Sequence, residues 1–168
     1  MSVQAKRRAD YQPPAFSIAT VDLHITLHPT QTQVISTLSV TRNGNHDSPL
    51  ILDGDNLSLN AIAINGNALS DDEYTVSETL LSIFTHLDEF VLEITNTIAP
   101  EQNKALEGLY LSGGAYCTQC EAEGFRRITY FMDRPDVLSV YTVTVVADKS
   151  VPMLLANGNP VDKGEVDE

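Results

Sequence analysis

Residues 21–27 (VDLHITL) alternate apolar and polar side chains with a period of two. That period is typical of a β-strand with one buried face, because successive side chains of a strand point to opposite faces of the sheet. Residues 29–32 (PTQT) have the composition of a turn, and residues 34–40 (VISTLSV) are rich in the residues that favour a returning strand. Together the three stretches predict a β-hairpin.

Strand-like runs continue beyond this hairpin. Each is short and bounded by turn-forming residues, and the runs are residues 50–54, 57–64, 74–76, 79–83, 90–94, 140–146 and 152–156. Asn65-Gly66 follows one of them directly, and both residues accept the positive φ of a tight hairpin turn. No segment predicts a helix of ten or more residues. We therefore predict an all-β fold, antiparallel and sandwich-like, with little helix.

The chain divides into an irregular N-terminal arm, residues 1–14, and a β-rich domain, residues 15–168. Its 168 residues fit one large domain or a domain with an appendage. Asn157-Gly158 has the composition of a hairpin turn, yet the residues that follow do not form an apolar returning strand. We therefore expect the chain to be truncated at its C-terminus, the alternative being a frayed tail.

The chain is strongly acidic. Lys and Arg number 10 against 23 Asp and Glu, which gives a net charge of −13. Nucleic acids and anionic membrane surfaces are bound by basic faces, so neither is an expected partner. Residues 43–103 contain no Lys or Arg and eleven acids. Such a surface attracts amines, metal ions or basic peptides, although acidity also serves solubility alone.

Compartment and redox state follow from what the chain lacks. The basic residues 6–8 (KRR) are followed by Ala9-Asp10 and not by the apolar core of a secretory signal. No apolar run approaches the roughly 20 residues of a membrane span. Two cysteines, both local, do not make a disulfide scaffold and suit a reducing compartment. We expect a cytoplasmic protein.

Residues 117–137 (CTQCEAEGFRRITYFMDRPDV) combine thiols, an amide, acids, arginines and aromatics in one short segment. Cys117 and Cys120 have the spacing of half a zinc site, but there is no second such pair and the histidines are scattered. A redox role needs a lowered thiol pKa, whereas the residues after Cys120 are acidic. The simplest interpretation is two buried small thiols without chemistry. Asp133 and Pro135 suggest the cap and first turn of a short helix.

Glu121 and Glu123 lie two apart, so an extended backbone places both on one side. Such a pair could perform acid–base catalysis, bind a cation, or form a structural ion network with Arg126, Arg127 or Arg134. No serine nucleophile motif or phosphate-binding loop accompanies the pair, and Gly113-Gly114 is better explained as a turn. With Gln119 beside them, the carboxylates suit an ammonium ligand better than hydrolysis.

The same residues resemble a known family. Residues 105–110 (ALEGLY) and 117–137, with further similarity at Asp10-Tyr11, 147–149 (ADK) and 157–159 (NGN), closely resemble the N-terminal domain of the bacterial aminopeptidase N family. These enzymes are zinc-dependent gluzincin aminopeptidases. The resemblance covers essentially the whole chain, and it implies a β-rich, saddle-shaped domain that packs on a thermolysin-like catalytic domain.

The resemblance also implies roles for individual residues. Glu121 would bind the free α-ammonium group of a peptide substrate, and Gln119 would contact the substrate near the scissile bond, while Cys117 and Cys120 would not bind metal. The family's H-E-x-x-H zinc motif and G-A-M-E-N loop are absent from the sequence. We therefore expect no catalytic residue, zinc site or cofactor in this chain, zinc in the full-length enzyme, and no hydrolysis by the chain alone.

Two other hypotheses stay open. The chain could be a stand-alone, non-catalytic module that binds cationic peptide termini or a protein partner, or a metal or redox protein built on Cys117 and Cys120. For the aminopeptidase hypothesis, the expected partners are the peptide N-terminus and the enzyme's own catalytic domain. An isolated domain should also expose the surface that this partner covers, so we expect some self-association.

Overall fold

The fold is described by a computed structural model that covers residues 8–166. It contains eleven strands: β1 (Phe16–Thr26), β2 (Thr32–Arg42), β3 (Leu50–Asp53), β4 (Ser58–Ile64), β5 (Asn67–Ala68), β6 (Tyr74–Val76), β7 (Leu80–Ile83), β8 (Glu89–Ile98), β9 (Gly108–Ser112), β10 (Ala115–Gln119) and β11 (Val140–Val146). Three single-turn 3-10 helices, Arg8–Asp10, Pro100–Gln102 and Phe125–Arg127, are the only helical elements in this part of the chain. The β-rich fold with little helix is confirmed.

The largest sheet has six strands in the order β11-β1-β2-β8-β4-β5. Strands β1 and β2 form the predicted antiparallel hairpin, with Leu23 opposite Ser36. Asn65 and Gly66 form the tight turn between β4 and β5, with φ angles of 51° and 77°. The pair β1–β11 runs parallel, whereas the other pairs of this sheet are antiparallel. The antiparallel prediction therefore holds for all but one edge strand.

Two smaller sheets complete the domain. Strands β3, β7 and β6 form an antiparallel three-stranded sheet, and β9 pairs with β10 in a hairpin. One hydrophobic cluster joins the large sheet to the three-stranded sheet, and it includes Val34, Leu38, Leu52, Leu81 and Leu92. The alternating burial along β2 shows why the period of two predicted the strand, since every second side chain is buried.

Several local predictions are wrong. Residues 152–156 form no strand, and Met153 and Leu155 are exposed. The apolar composition of that run is that of a strand, but no neighbouring strand pairs with it. Asp133 does not cap a helix, because residues 135–136 form a turn.

The structure describes only part of the predicted N-terminal arm. Residues 1–7 of the predicted arm and residues 167–168 lie outside the described residues. The described part of the arm contacts the turn at residues 134–136, since the Tyr11 hydroxyl donates to the Asp136 carboxylate at 2.9 Å and the Arg134 guanidinium donates to the Gln12 carbonyl at 2.9 Å. Among residues 8–166, no helix has the length and apolar character needed to cross a membrane.

Candidate functional site

Gln119 is the last residue of β10, and the β9–β10 hairpin presents it. The two strands are joined at Gly113-Gly114, whose φ angles of 57° and 84° favour glycine. Gln119 pairs with Gly108 at the open end of this hairpin. The turn predicted at Gly113-Gly114 is confirmed. The strands on either side of it were not predicted.

A tight turn follows Gln119 and carries Glu121. The amide of Gly124 donates to the carbonyl of Cys120 at 2.8 Å, which closes the turn. A Cβ atom on Gly124 would lie 2.5 Å from the carbonyl oxygen of Gln119 and 3.1 Å from the amide nitrogen of Gly108. The turn therefore packs backbone against backbone on the β9–β10 hairpin, and only glycine fits at position 124.

The side chains of Gln119 and Glu121 lie at the surface. Both residues are exposed, and the Gln119 amide group donates to the backbone carbonyl of Glu121 at 3.2 Å. The peptide bond from Glu121 to Ala122 is cis. Within residues 8–166, the Glu121 carboxylate forms neither an ion pair nor a side-chain hydrogen bond. Its two oxygens are therefore free to accept hydrogen bonds from a ligand.

Glu123, two residues later, is in a different position. Its carboxylate pairs with the Arg126 guanidinium at 3.3 Å. Arg127 pairs instead with Asp55 at 2.6 Å and with Glu107 at 3.3 Å, and Arg134 pairs with Asp136. The structural ion network considered in the sequence analysis therefore includes Glu123 but not Glu121.

Asp133 serves the same network and not a helix cap. Its carboxylate accepts hydrogen bonds from the backbone amide of Arg126 at 3.1 Å and from the Arg126 Nε at 3.0 Å. Burial lowers the pKa of Arg126, but the hydrogen bond from its guanidinium to Asp133 and the charges of Asp53, Asp133 and Glu123 outweigh this effect and raise the pKa above its ordinary value. Arg126 is therefore a permanent cation in the network.

The segment after Arg127 is buried and bonded to the large sheet. Thr129 donates to the Asn96 side-chain oxygen at 2.9 Å, and Asn96 donates to the Ile128 carbonyl at 3.0 Å. The hydroxyls of Ser36 and Thr129 lie 3.1 Å apart. Ser36, Asn96 and Thr129 are fully buried. This network was missed from sequence, because small polar residues in a strand pattern do not reveal whether they face the core.

Aromatic side chains pack against Phe125, which directly follows the Cys120–Gly124 turn. The ring of Phe125 makes edge contacts with Phe131, at a centroid distance of 5.1 Å, and with Tyr141 of β11, at 5.8 Å. Burial, with smaller contributions from Asp133 and Cys120, raises the pKa of Tyr141 to about 12. The edge strand β11 thus contacts the residue that directly follows the Cys120–Gly124 turn.

The two cysteines are free thiols and half-buried, so the prediction of two buried thiols is only partly right. Burial, with a smaller contribution from Asp133, raises the pKa of Cys120 above its ordinary value. A thiol with a raised pKa is a poor nucleophile and a poor metal ligand at neutral pH. Among residues 8–166, no group of three or more His, Cys, Asp or Glu side chains is arranged to hold a metal ion.

Gln119 and Glu121, the candidate pair of substrate-binding residues, are both exposed. A surface groove of about 600 Å³ is lined by polar residues that include Asn103, Lys104 and Arg127, but it does not include Gln119 or Glu121. The pair therefore lies on an open surface, and an enclosed ligand site would need walls from elsewhere.

The sequence matches that of known proteins along nearly its whole length. Residues 10–168 match the family described as the Peptidase M1 N-terminal domain. The chain is 54% identical over 164 residues to aminopeptidase N of Caulobacter vibrioides and 46% identical over 168 residues to aminopeptidase N of Escherichia coli. Each alignment covers 98% of this chain but 19% of the relative, so the chain spans about a fifth of the length of these curated relatives.

Solved structures give the same result. Legionella pneumophila aminopeptidase A, solved in complex with aspartic acid, superposes with a TM-score of 0.88 at 33% identity, over 96% of this chain and 19% of that one. The M1 zinc metallopeptidase of Deinococcus radiodurans shares the fold, with a TM-score of 0.69 at 19% identity over 81% of this chain and 33% of that one. The family match spans all of the described strands, and the curated relatives agree with it. This chain belongs to the Peptidase M1 N-terminal domain family.

Proposed function

We propose that this chain is the N-terminal domain of a zinc aminopeptidase that removes N-terminal residues from peptides, and that Glu121 binds the α-ammonium group of the substrate. The observation that carries the proposal is the contrast between two neighbouring carboxylates. Glu123 is paired with Arg126, whereas Glu121 is exposed and without an ion-pair partner among residues 8–166. The similarity to two aminopeptidases N supports the same activity.

A carboxylate at this position suits an exopeptidase. An enzyme that cuts only the first peptide bond must recognise the free amine that distinguishes a chain terminus. A carboxylate does so by charge-assisted hydrogen bonds, which strengthen when water is excluded. Gln119 lies beside Glu121 and keeps its side-chain carbonyl oxygen available, because only its amide group donates to the turn. We assign Gln119 to contact with the substrate near the scissile bond.

Zinc does not fit the residues described here. The histidines are dispersed, the Cys120 thiol is protonated at neutral pH, and no suitable group of ligands occurs among residues 8–166. We therefore place the metal and the hydrolytic step in polypeptide outside these residues, in a catalytic domain that packs on this one. The chain by itself should bind no catalytic zinc and should not hydrolyse peptides.

The test is Glu121→Gln in the full-length enzyme, with Glu78→Gln as the matched control. Glu78 is exposed in the bend before β7 and has no role in the site. Losing a hydrogen bond to a charged group costs about 1.5–3 kcal/mol, so kcat/KM for peptides should fall roughly 10- to 150-fold. Glu78→Gln should leave it unchanged. A change of less than twofold for Glu121→Gln would reject the role.

The coding sequence that follows Glu168 discriminates the competing proposal. Continuation into an H-E-x-x-H motif agrees with the aminopeptidase, whereas an in-frame stop would favour a stand-alone module for cationic peptide termini. A cytoplasmic location also stays a proposal, supported by the two free thiols, which suit a reducing compartment.

A further inference from the structure

One side chain, Arg126, ties the turn that carries Glu121 to the rest of the domain. Its Nε donates to the Asp133 carboxylate at 3.0 Å and its Nη2 donates to the Asp133 carbonyl at 2.9 Å. Its Nη1 lies 3.5 Å from the Asp53 carboxylate, and its Nη2 lies 3.3 Å from the Glu123 carboxylate. All three guanidinium nitrogens are thus engaged with acceptors on three separate segments.

Backbone contacts reinforce this arrangement. The carbonyl of Arg126 accepts from the amide of Asp55 at 2.9 Å, and Asp53 pairs with Phe131 as an isolated β-bridge. Asp53 also accepts from the amide of Asp133 at 3.1 Å. The end of β3 and residues 131–133 therefore form a fixed frame, and the Arg126 side chain lies within it with a quarter of its surface exposed.

The turn reaches this frame through Glu123. At the Gln119 end, strand β10 holds the turn, and the close contact of Gly124 with Gln119 and Gly108 holds its base. Between these points the turn contacts the frame through the ion pair of Glu123 with Arg126, while the Cys120 side chain packs against the hydrophobic cluster and the Gln119 amide group bonds to the Glu121 carbonyl. Glu121 is two residues from Glu123, so the direction of its carboxylate depends on this tether.

We propose that Arg126 is a positioning residue for amine recognition: by holding Glu123, it fixes the Cys120–Gly124 turn in the conformation that presents Glu121. The proposal rests on the proposed function of Glu121. Arginine suits the task because its planar guanidinium offers five N–H donors in a fixed geometry, whereas lysine offers a single point charge on a flexible stem. Contact with three segments at once requires the several donors of arginine.

For a variant that removes the Arg126 charge, electrostatics and positioning predict opposite changes in amine binding. Removing the positive charge of Arg126 leaves more negative charge near Glu121, which by itself would strengthen the binding of an ammonium group. Loosening the turn acts in the opposite direction, because the carboxylate must then be ordered when the ligand binds. A weaker preference for amines in an Arg126 variant therefore reports positioning and not electrostatics.

The experiment measures amine preference in the full-length enzyme. L-alanine hydroxamate and propionohydroxamic acid differ by one amino group. The inhibition constant of propionohydroxamic acid divided by that of L-alanine hydroxamate therefore measures how strongly the enzyme prefers the amine, and this quotient is the ratio used below. We expect Arg126→Gln to lower the ratio about 5- to 10-fold. Arg126→Lys, which keeps the charge, should lower it by a smaller factor. Arg134→Gln is the matched control, since Arg134 pairs with Asp136 away from the turn, and it should leave the ratio unchanged.

A double-mutant cycle separates positioning from general loosening of the fold. If Arg126 acts through Glu121, then Arg126→Gln should lower the ratio no further once Glu121→Gln is present. If Arg126→Gln does not fold, Glu123→Asp keeps the negative charge, shortens the reach to Arg126 and leaves the contacts of Arg126 with Asp53 and Asp133 intact, and it should lower the ratio in the same direction.

The outcomes distinguish the two proposals. If Glu121→Gln leaves the ratio unchanged, both amine binding and positioning are overturned. If Glu121→Gln lowers the ratio but Arg126→Gln and Glu123→Asp do not, only the positioning role is overturned. Additive losses in the double variant would likewise overturn it.

Discussion

Thr129→Val should destabilise the domain although it keeps the shape of the side chain. The Thr129 hydroxyl donates to Asn96 and lies 3.1 Å from the Ser36 hydroxyl, and all three residues are fully buried. Valine would leave the Asn96 oxygen without a donor and Ser36 without its partner. A buried polar group that loses its partner costs about 1–3 kcal/mol, so we expect a loss of roughly 2–4 kcal/mol in the free energy of unfolding.

Thr20→Val provides the control. Thr20 also donates to a serine hydroxyl, that of Ser39, at 2.7 Å, but this pair faces solvent on β1 and β2. Water replaces the lost partner there, so the change should stay within about 0.5 kcal/mol. Urea unfolding of the 168-residue chain at pH 7, followed by far-ultraviolet circular dichroism, measures both variants.

The double variant Ser36→Ala/Thr129→Val sharpens the test. Both substitutions remove the same Ser36–Thr129 hydrogen bond, so their joint cost should be smaller than the sum of the single costs. If Thr129→Val proved as mild as Thr20→Val, the three side chains would not form a buried network, and the anchoring of residues 128–129 on the large sheet would be wrong.

Three further predictions concern the site and the surface. Gly124→Ala should cost about 1–3 kcal/mol of stability in the same urea assay, because the new methyl group would meet backbone atoms of Gln119 and Cys120 at 2.5 and 3.0 Å, whereas Gly164→Ala, with no atom within 4 Å, should be neutral. Iodoacetamide should alkylate Cys120 with a pH profile displaced above that of a free thiol, since its raised pKa keeps the thiol protonated as the pH rises; a profile at or below that of free cysteine would contradict the burial of this side chain. Leu138 and Val140 are 87% and 72% exposed, so sedimentation of the chain at increasing concentration should show self-association that Leu138→Ser weakens, and a monomer at all concentrations would exclude it.

Alternation of apolar and polar residues predicted most strands, but it did not predict how they pair. The β1–β2 hairpin followed from two alternating runs and a short turn, because so short a connection brings the two strands side by side. Strand β11 was also predicted as a strand, yet its parallel pairing with β1 is a long-range contact that its seven residues do not encode. The strand predicted at residues 152–156 does not form, because an apolar run becomes a strand only where it pairs with the edge of a sheet.

The candidate site shows the same limit at the level of single residues. Glu121 and Glu123 are chemically identical and two apart, so their residue types did not separate them, and a structural ion network was the simpler interpretation of both. What separates them is the position of Arg126, which is fixed by the nearby Asp133 and by Asp53 from a distant part of the chain. The resemblance to a known family singled out Glu121, whereas the residue types alone did not.

The separation of the two carboxylates has a physical consequence for binding. A glutamate already paired with an arginine has part of its charge neutralised, so an added ammonium group gains less from it. Glu123 is in that situation, whereas Glu121 has only water to displace. Glycine packing at position 124 and the ion pair of Glu123 with Arg126 restrain the turn that carries Glu121 without occupying its oxygens. A fixed but unpaired carboxylate is the arrangement that recognises a cation with the least loss of conformational entropy on binding.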